Sequence, residues 1–249
     1  MKSGNPVLNE RVFSQAGHYA DGNAMTIQGA VGKTFILLAL TVAPALWVWG
    51  EISNPQSTFL PYLIPAIGVS AIAGFIVAMV TSFKKEWAPV TAPIYAVFEG
   101  VFLGVMTSLF NKAYPGIAVE AVALTFGVLF CLLAAYQAGF IRATPTFTRV
   151  IVAATMAIAL FYLISMVVGI FGIQAPLIHS SSGMGIAFSF VVVVVAALNL
   201  VLDFNLIEQG ARDGAPKYME WFSAFALLVT LIWLYVEILR LLSKLSNRR

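Results

Sequence analysis

The sequence predicts an all-α fold, a polytopic membrane protein built as a bundle of seven transmembrane helices. Three observations lead there. Of 249 residues, 60% are hydrophobic and only 10% charged, with a mean hydropathy of +0.92, whereas a soluble chain carries about a quarter charged residues. The apolar residues fall in long uninterrupted blocks of spanning length, and in hydrocarbon such a block satisfies its own backbone only as a helix. Runs such as Val191 to Leu198 lack the strict alternation that the strands of a membrane barrel would show. An ordinary soluble enzyme and a disordered chain are excluded by the same numbers.

The elements follow in order. Residues 1–32 are polar and Gly-rich and read as an N-terminal tail, with no apolar core close enough to Met1 and Lys2 for a cleavable signal peptide. Spans are expected near residues 33–49, 60–83, 89–110, 116–139, 149–172, 184–206 and 221–243, so that 33–245 form the transmembrane domain and 246–249 a basic C-terminal end. Pro44, Pro65 and Pro93 sit inside or early in spans and should kink them. Trp47, Trp49, Trp87 and Trp221 lie near span ends, as interfacial anchors do. Gly100 and Gly104 form a G-x-x-x-G pair that lets two helices approach closely. Cys131, the single cysteine, has no partner for a disulfide and reads as a small packing residue.

Orientation follows from Lys and Arg in the short connections. Lys2, Arg11, Lys33, Lys84, Lys85, Arg142, Arg149, Arg212 and Lys217 fall on one side and only Lys112 on the other, which puts the N-terminus in the cytoplasm. The C-terminal end disagrees, because seven spans send Arg240, Lys244, Arg248 and Arg249 to the far side. Either the last helix crosses against the rule, or it is incomplete or re-entrant.

The informative residues are acids where acids are expensive. Glu99, Asp203 and Glu237 lie inside the third, sixth and seventh spans with apolar residues on both sides. A charge at the bilayer centre costs roughly 3 kcal/mol on insertion scales, so each should face the protein interior or water and have a partner. Two such carboxyls brought together from different helices would share a proton and act as a pH-sensitive pair, and deprotonated they suit a hard cation such as Ca²⁺. Asp203 and Glu237 are therefore the candidate pair and the candidate Ca²⁺ ligands, with Glu99 on the ion pathway. The alternative is protonated carboxyls hydrogen-bonding across helices. Arg240, three residues after Glu237, lies within reach of an ion pair with it. Arg142 and Arg149, beyond their part in orientation, are candidates to gate an acid, and Glu208 to join a cytoplasmic mouth. Glu120, Glu208, Asp213 and Glu220, at span ends, read as solvated charges.

Two features are set aside. "GAVGKT" at Gly29 to Thr34 has Ile27 where a phosphate loop needs its first glycine, and no strand precedes it. His179 with Ser180, Ser181 and Ser182 has no suitable carboxylate nearby and reads as a polar loop. No zinc-protease or G-x-S-x-G signature supports catalysis, and no resident cofactor is expected.

Four segments carry a resemblance: "MTIQGAVGKTFILL", "YAVFEGVFLG" around Glu99, "LNLVLDFNLIEQG" around Asp203 and "LIWLYVEILRLLSKL" around Glu237. Over nearly its whole length the chain resembles the Bax inhibitor (transmembrane Bax inhibitor motif) proteins, most closely their bacterial branch. The resemblance implies a seven-helix fold with a central last helix, a carboxyl pair at Asp203 and Glu237, and a pH-sensitive Ca²⁺ leak across a bacterial inner membrane. Glu237 departs from the Asp of the better-known branch, and no Arg stands in the second span to latch the pair. The rival expectation is a non-conducting regulator that binds other membrane proteins through the Gly100 and Gly104 face and the polar tail. A proton-coupled transporter would use the same acids but should show substrate saturation.

Overall fold

The computed structural model describes residues 24–54, 56–58, 60–171 and 180–248. The first 23 residues of the polar tail, with Lys2 and Arg11, lie outside the described residues, as do His179 and Arg249. Seven helices are described: α1 (Ile27–Ser53), α2 (Leu63–Phe83), α3 (Ala88–Ala113), α4 (Ile117–Gln137), α5 (Pro145–Ile170), α6 (Gly183–Arg212) and α7 (Met219–Ser246). All seven are long and apolar enough to cross a membrane, and the protein is an integral membrane protein.

Caps, more than hydropathy, set the helix ends. α1 starts before the apolar block because the Thr26 hydroxyl accepts the Gly29 amide at 2.9 Å, which draws Gln28 to Gly32 out of the polar tail and into the helix. Thr144 caps α5 in the same way, with Pro145 at the first helical position. Gly116, at φ +93°, supplies the left-handed residue between α3 and α4. Pro44 and Pro93 lie within α1 and α3. Pro65 instead falls in the first turn of α2, where its missing N–H removes no helical bond. Buried hydroxyls bond back to their own helices, as Thr34 does to Ala30 O and Thr41 to Leu37 O, so they need no partner from lipid. α7 is one uninterrupted helix of 28 residues, which at about 1.5 Å per residue exceeds the bilayer core. The incomplete-helix alternative is thereby removed.

The chain divides into two compact units. The first holds α1, α2, α3 and Ile207–Leu228, which are the end of α6, its following turn and the start of α7. The second holds Gly116–Leu206 and the chain from Val229 on, hence α4, α5, most of α6 and most of α7. In the first unit α1 and α3 meet backbone to backbone. A Cβ on Gly104 would lie 2.8 Å from Ala45 O, and one on Gly100 would overlap Thr41 O. The Gly100 and Gly104 face is thus consumed within the protein and is no surface for another membrane protein, which corrects one expectation of the regulator reading.

Outward faces are apolar. Phe75 is 66% exposed and Phe83 76%, as lipid-facing side chains are, because hydrocarbon solvates them as well as a core does. Cys131 is exposed too; the packing role expected of it is replaced by a place on an outer face of α4. Trp47 and Trp87 are also more than half exposed, as interfacial anchors should be. α7 is the exception. About 72% of its apolar window is buried, against 17% in α2 and in α5.

Gly100→Ala and Gly104→Ala are each expected to destabilise the protein by about 1–3 kcal/mol, the usual cost of overpacking, read as a lower thermal midpoint in detergent. Gly68→Ala, whose new methyl meets nothing within 4 Å, should leave the midpoint unchanged or slightly higher.

Candidate functional site

In the second unit, α6 and α7 run antiparallel with two polar contacts that fix their register. Thr230 Oγ1 donates to Asp203 Oδ2 at 2.7 Å, and Lys244 Nζ donates to Ser189 Oγ at 2.8 Å. Thr230, Glu237 and Lys244 recur every seven residues on α7, so they form one stripe along a single helix face, about 10 Å between successive members. All three are under 5% exposed. Asp203, on α6, is fully buried. The site is therefore a buried polar column between two helices.

Glu237 is the most heavily engaged member. The Tyr162 hydroxyl of α5 donates to Oε1 at 3.0 Å, and Arg240 Nη1 lies 2.9 Å from Oε1 and 3.1 Å from Oε2. The same Arg240 nitrogen donates to the Tyr162 oxygen at 2.8 Å, and its guanidinium stands 5.3 Å from the Tyr162 ring centre. Tyr162 meets the Phe188 ring edge to face, and Tyr162, Phe188 and Trp233 all pack on the cluster of Ile158, Val192 and Val195. Two turns further on, Lys244 Nζ also donates to Gly185 O at 3.0 Å. One turn before Asp203, Asn199 Nδ2 donates to Thr155 Oγ1 and to Val195 O, both at 2.8 Å, and leaves Oδ1 buried without a partner.

The register separates the two acids expected to pair. With 203 opposite 230 and 189 opposite 244, Ala196 stands level with Glu237, and Asp203 lies about two turns away along the axis. Asp203 accepts from Thr230, and Glu237 from Tyr162 and Arg240. One Ca²⁺, whose oxygen ligands sit at about 2.3–2.6 Å, does not reach both in this arrangement. No group of three or more His, Cys, Asp or Glu side chains capable of holding a metal occurs among the described residues.

The remaining candidates lie elsewhere. Glu99 belongs to the first unit, half-buried on α3, where Oε1 comes within 3.3 Å of where a Cβ on Gly74 would stand. Arg142 and Arg149 are exposed, and neither forms an ion pair with Asp203 or Glu237; Arg240, on the acid's own helix, takes that position. Glu208 pairs with Arg212 one turn on, in the first unit, so it adds to a surface pair instead of the Asp203 neighbourhood. Glu120 and Asp213 are exposed, as solvated charges should be.

Glu220 is a correction. Expected at the surface, it is fully buried in the first unit, where its carboxylate accepts from the Thr26 amide at 2.9 Å and the Thr26 hydroxyl at 3.0 Å, with the Lys217 ammonium at 2.8 Å. Lys33 of the "GAVGKT" segment completes the set with an ion pair to Oε2. Glycine at position 29 leaves room for it, since a Cβ would overlap the carboxylate as it stands. Met25 N bonds Ala215 O at 2.6 Å beside it. Carboxylate binding, not phosphate binding, thus explains the Gly and Lys of that segment. The signal that pointed to it is Lys217 one turn before an acid at a helix start.

The family model described as Bax inhibitor 1 like matches residues 5–247. The chain belongs to that family. The match takes in both units, Asp203 and Glu237 included, and it agrees with the four segments that carry the resemblance. Comparison with curated proteins returns no match for this Bax inhibitor 1 like chain.

Removing one partner of a buried ion pair leaves the other uncompensated. Arg240→Leu is expected to destabilise the protein more than the double change Arg240→Leu with Glu237→Gln, a coupling of about 1–3 kcal/mol in a double-mutant cycle followed by thermal unfolding. Glu220→Gln, which leaves Lys33 and Lys217 facing a neutral amide, should lower the midpoint as well, by the equivalent of about 1–2 kcal/mol.

Proposed function

We propose that this Bax inhibitor 1 like protein is a non-enzymatic cation leak of a bacterial inner membrane, oriented with its N-terminus in the cytoplasm, that passes Ca²⁺ under the control of Asp203 and Glu237. The observation that carries the reading is the buried column itself. A chain that buries two acids on neighbouring spanning helices, each with a hydroxyl partner from another helix, maintains a costly polar feature for which hydrophobic packing gives no reason. Ca²⁺ is the transported ion, not a resident one, and no cofactor takes part.

With both carboxyls ionised the column offers a cation negative charge at two levels, each with a hydroxyl beside it. With both protonated it offers neither, so conduction falls as pH falls. Arg240, Tyr162 and Lys244 are the charged and titratable groups that face Glu237 and the column end. The opening movement therefore frees Glu237 from Arg240, since a carboxylate held by a guanidinium on both oxygens has little left for a passing ion. Glu99, half-buried in the first unit, is proposed by its carboxyl alone to take part in ion passage. The regulator reading has lost the Gly100 and Gly104 face, and no described surface favours it.

Ca²⁺ flux into liposomes holding the purified protein, measured from about pH 6 to about pH 8, tests this. The expected result is a flux that rises with pH in the wild type and becomes flat in Asp203→Asn and in Glu237→Gln. No flux above empty liposomes from folded protein, or the same pH profile in both variants, would overturn it.

A further inference from the structure

Resting on the leak reading for the part Glu99 takes in ion passage, we infer that the ion it takes is the proton: Glu99 is a neutral carboxylic acid at mid-membrane, and a site that an apolar carbodiimide modifies. Glu99 is the twelfth of the 26 residues of α3, about 17 Å along the helix from Ala88 and about 21 Å from Ala113. Its short side chain reaches the headgroups at neither end. α3 is also held against rolling, because on the neighbouring face Gly100 and Gly104 bring its backbone against Thr41 and Ala45 of α1.

What separates Glu99 from the buried acids of α7 is its partner. Glu220 has Lys33 and Lys217, and Glu237 has Arg240. Glu99 instead bonds the Tyr95 hydroxyl one turn back, and among the described residues no Lys or Arg forms an ion pair with it. Tyr95 is itself buried, its ring edge-on to Phe225 of α7 with the centres 5.0 Å apart. From α2, Gly74 faces the carboxyl, where a Cβ would stand 3.3 Å from Oε1, and Leu63–Phe83 contain no charged or titratable side chain. The charged residues of α1 are Lys33, joined to Glu220, and Glu51, two residues from the helix end.

A carboxylate at mid-membrane with a hydroxyl beside it and no cation is costlier than the acid, so the group keeps its proton. The Tyr95 hydroxyl suits both forms, since it can donate to a carboxylate and accept from an acid. Ca²⁺, which takes about six to eight oxygen ligands, would find one carboxyl and one hydroxyl among the side chains here. The neutral acid has a chemical signature. It adds across one C=N bond of a carbodiimide, its proton going to nitrogen and its oxygen bonding the central carbon. The acyl group then migrates from oxygen to nitrogen, and the stable N-acylurea keeps the whole mass of the reagent. Glu99 is half-buried and not enclosed, so a reagent dissolved in the hydrocarbon can reach it.

The test is labelling of the full-length protein in liposomes by dicyclohexylcarbodiimide at neutral pH, with and without excess Ca²⁺. Peptide mass mapping locates the adduct, and thermal unfolding in detergent checks the fold. The adduct is expected on Glu99 at a level at least about tenfold above that on Glu237, whose carboxylate Arg240 holds. It should be lost in Glu99→Gln and undiminished by Ca²⁺. Should the reagent be too large for the space beside α2, the infrared carbonyl band of a neutral carboxylic acid, present in the wild type and missing from Glu99→Gln, is expected all the same. Absence of both the adduct and that band, or protection of Glu99 by Ca²⁺, overturns the proton site. The Ca²⁺ leak is decided by the flux of Asp203→Asn and Glu237→Gln, so the two readings fail separately.

Discussion

A carboxylate inside hydrocarbon has no water to turn to, so its counter-charge must come from the protein itself. Glu237 meets that constraint within a single turn of its own helix, through Arg240, and closes the arrangement with the Tyr162 hydroxyl of α5. Much else in the second unit follows. α7 must face inward to keep the pair out of lipid, Phe188 must pack against Tyr162, and α6 must present Asp203 and Ser189 at the heights where Thr230 and Lys244 arrive. A helix that is apolar on its outside and polar along one inner stripe is the reverse of a soluble amphipathic helix. It is also the natural result when the solvent is oil.

The first unit solves the same problem at a different depth. Glu220 lies one residue into α7, and its partners come from the other end of the chain, Thr26 and Lys33, together with Lys217 beside it. Gly29 makes room for that carboxylate as Gly100 and Gly104 make room for the α1 backbone. In both places glycine is used for proximity and not for flexibility. The two buried carboxylates on α7 thus differ in kind. Glu220 is enclosed by four donors and ties distant segments together, whereas Glu237 stands in a column of groups that could exchange partners.

What could be read from the sequence follows the range of the interaction involved. The spans were legible because hydropathy averages over about twenty residues and lipid demands that length. Asp203 and Glu237 were legible because each is an acid in an apolar block, and the Arg240 contact because it is one helical turn. The start of α1 was not, since it hangs on one hydrogen bond from Thr26. Nor was the burial of Glu220, whose partner Lys33 is 187 residues away. The spacing of Asp203 and Glu237 along the column was hidden for the same reason. Helix register depends on which side chains meet across the gap, and two pairs, Asp203 with Thr230 and Ser189 with Lys244, decide it.

That register also bears on the charge count used for orientation. The positive-inside rule concerns charges that face the membrane surface and its fields. Arg240 is held by Glu237 and Lys244 is buried, so of the four C-terminal charges that disagreed with the rule two are engaged in the interior. Lys33 and Lys217 on the opposite side are likewise joined to Glu220. With those four set aside, seven of the nine expected cytoplasmic charges remain against Lys112, Arg248 and Arg249. Engagement of Arg240 and Lys244 in the interior thus halves the C-terminal charges that disagree with the expected orientation.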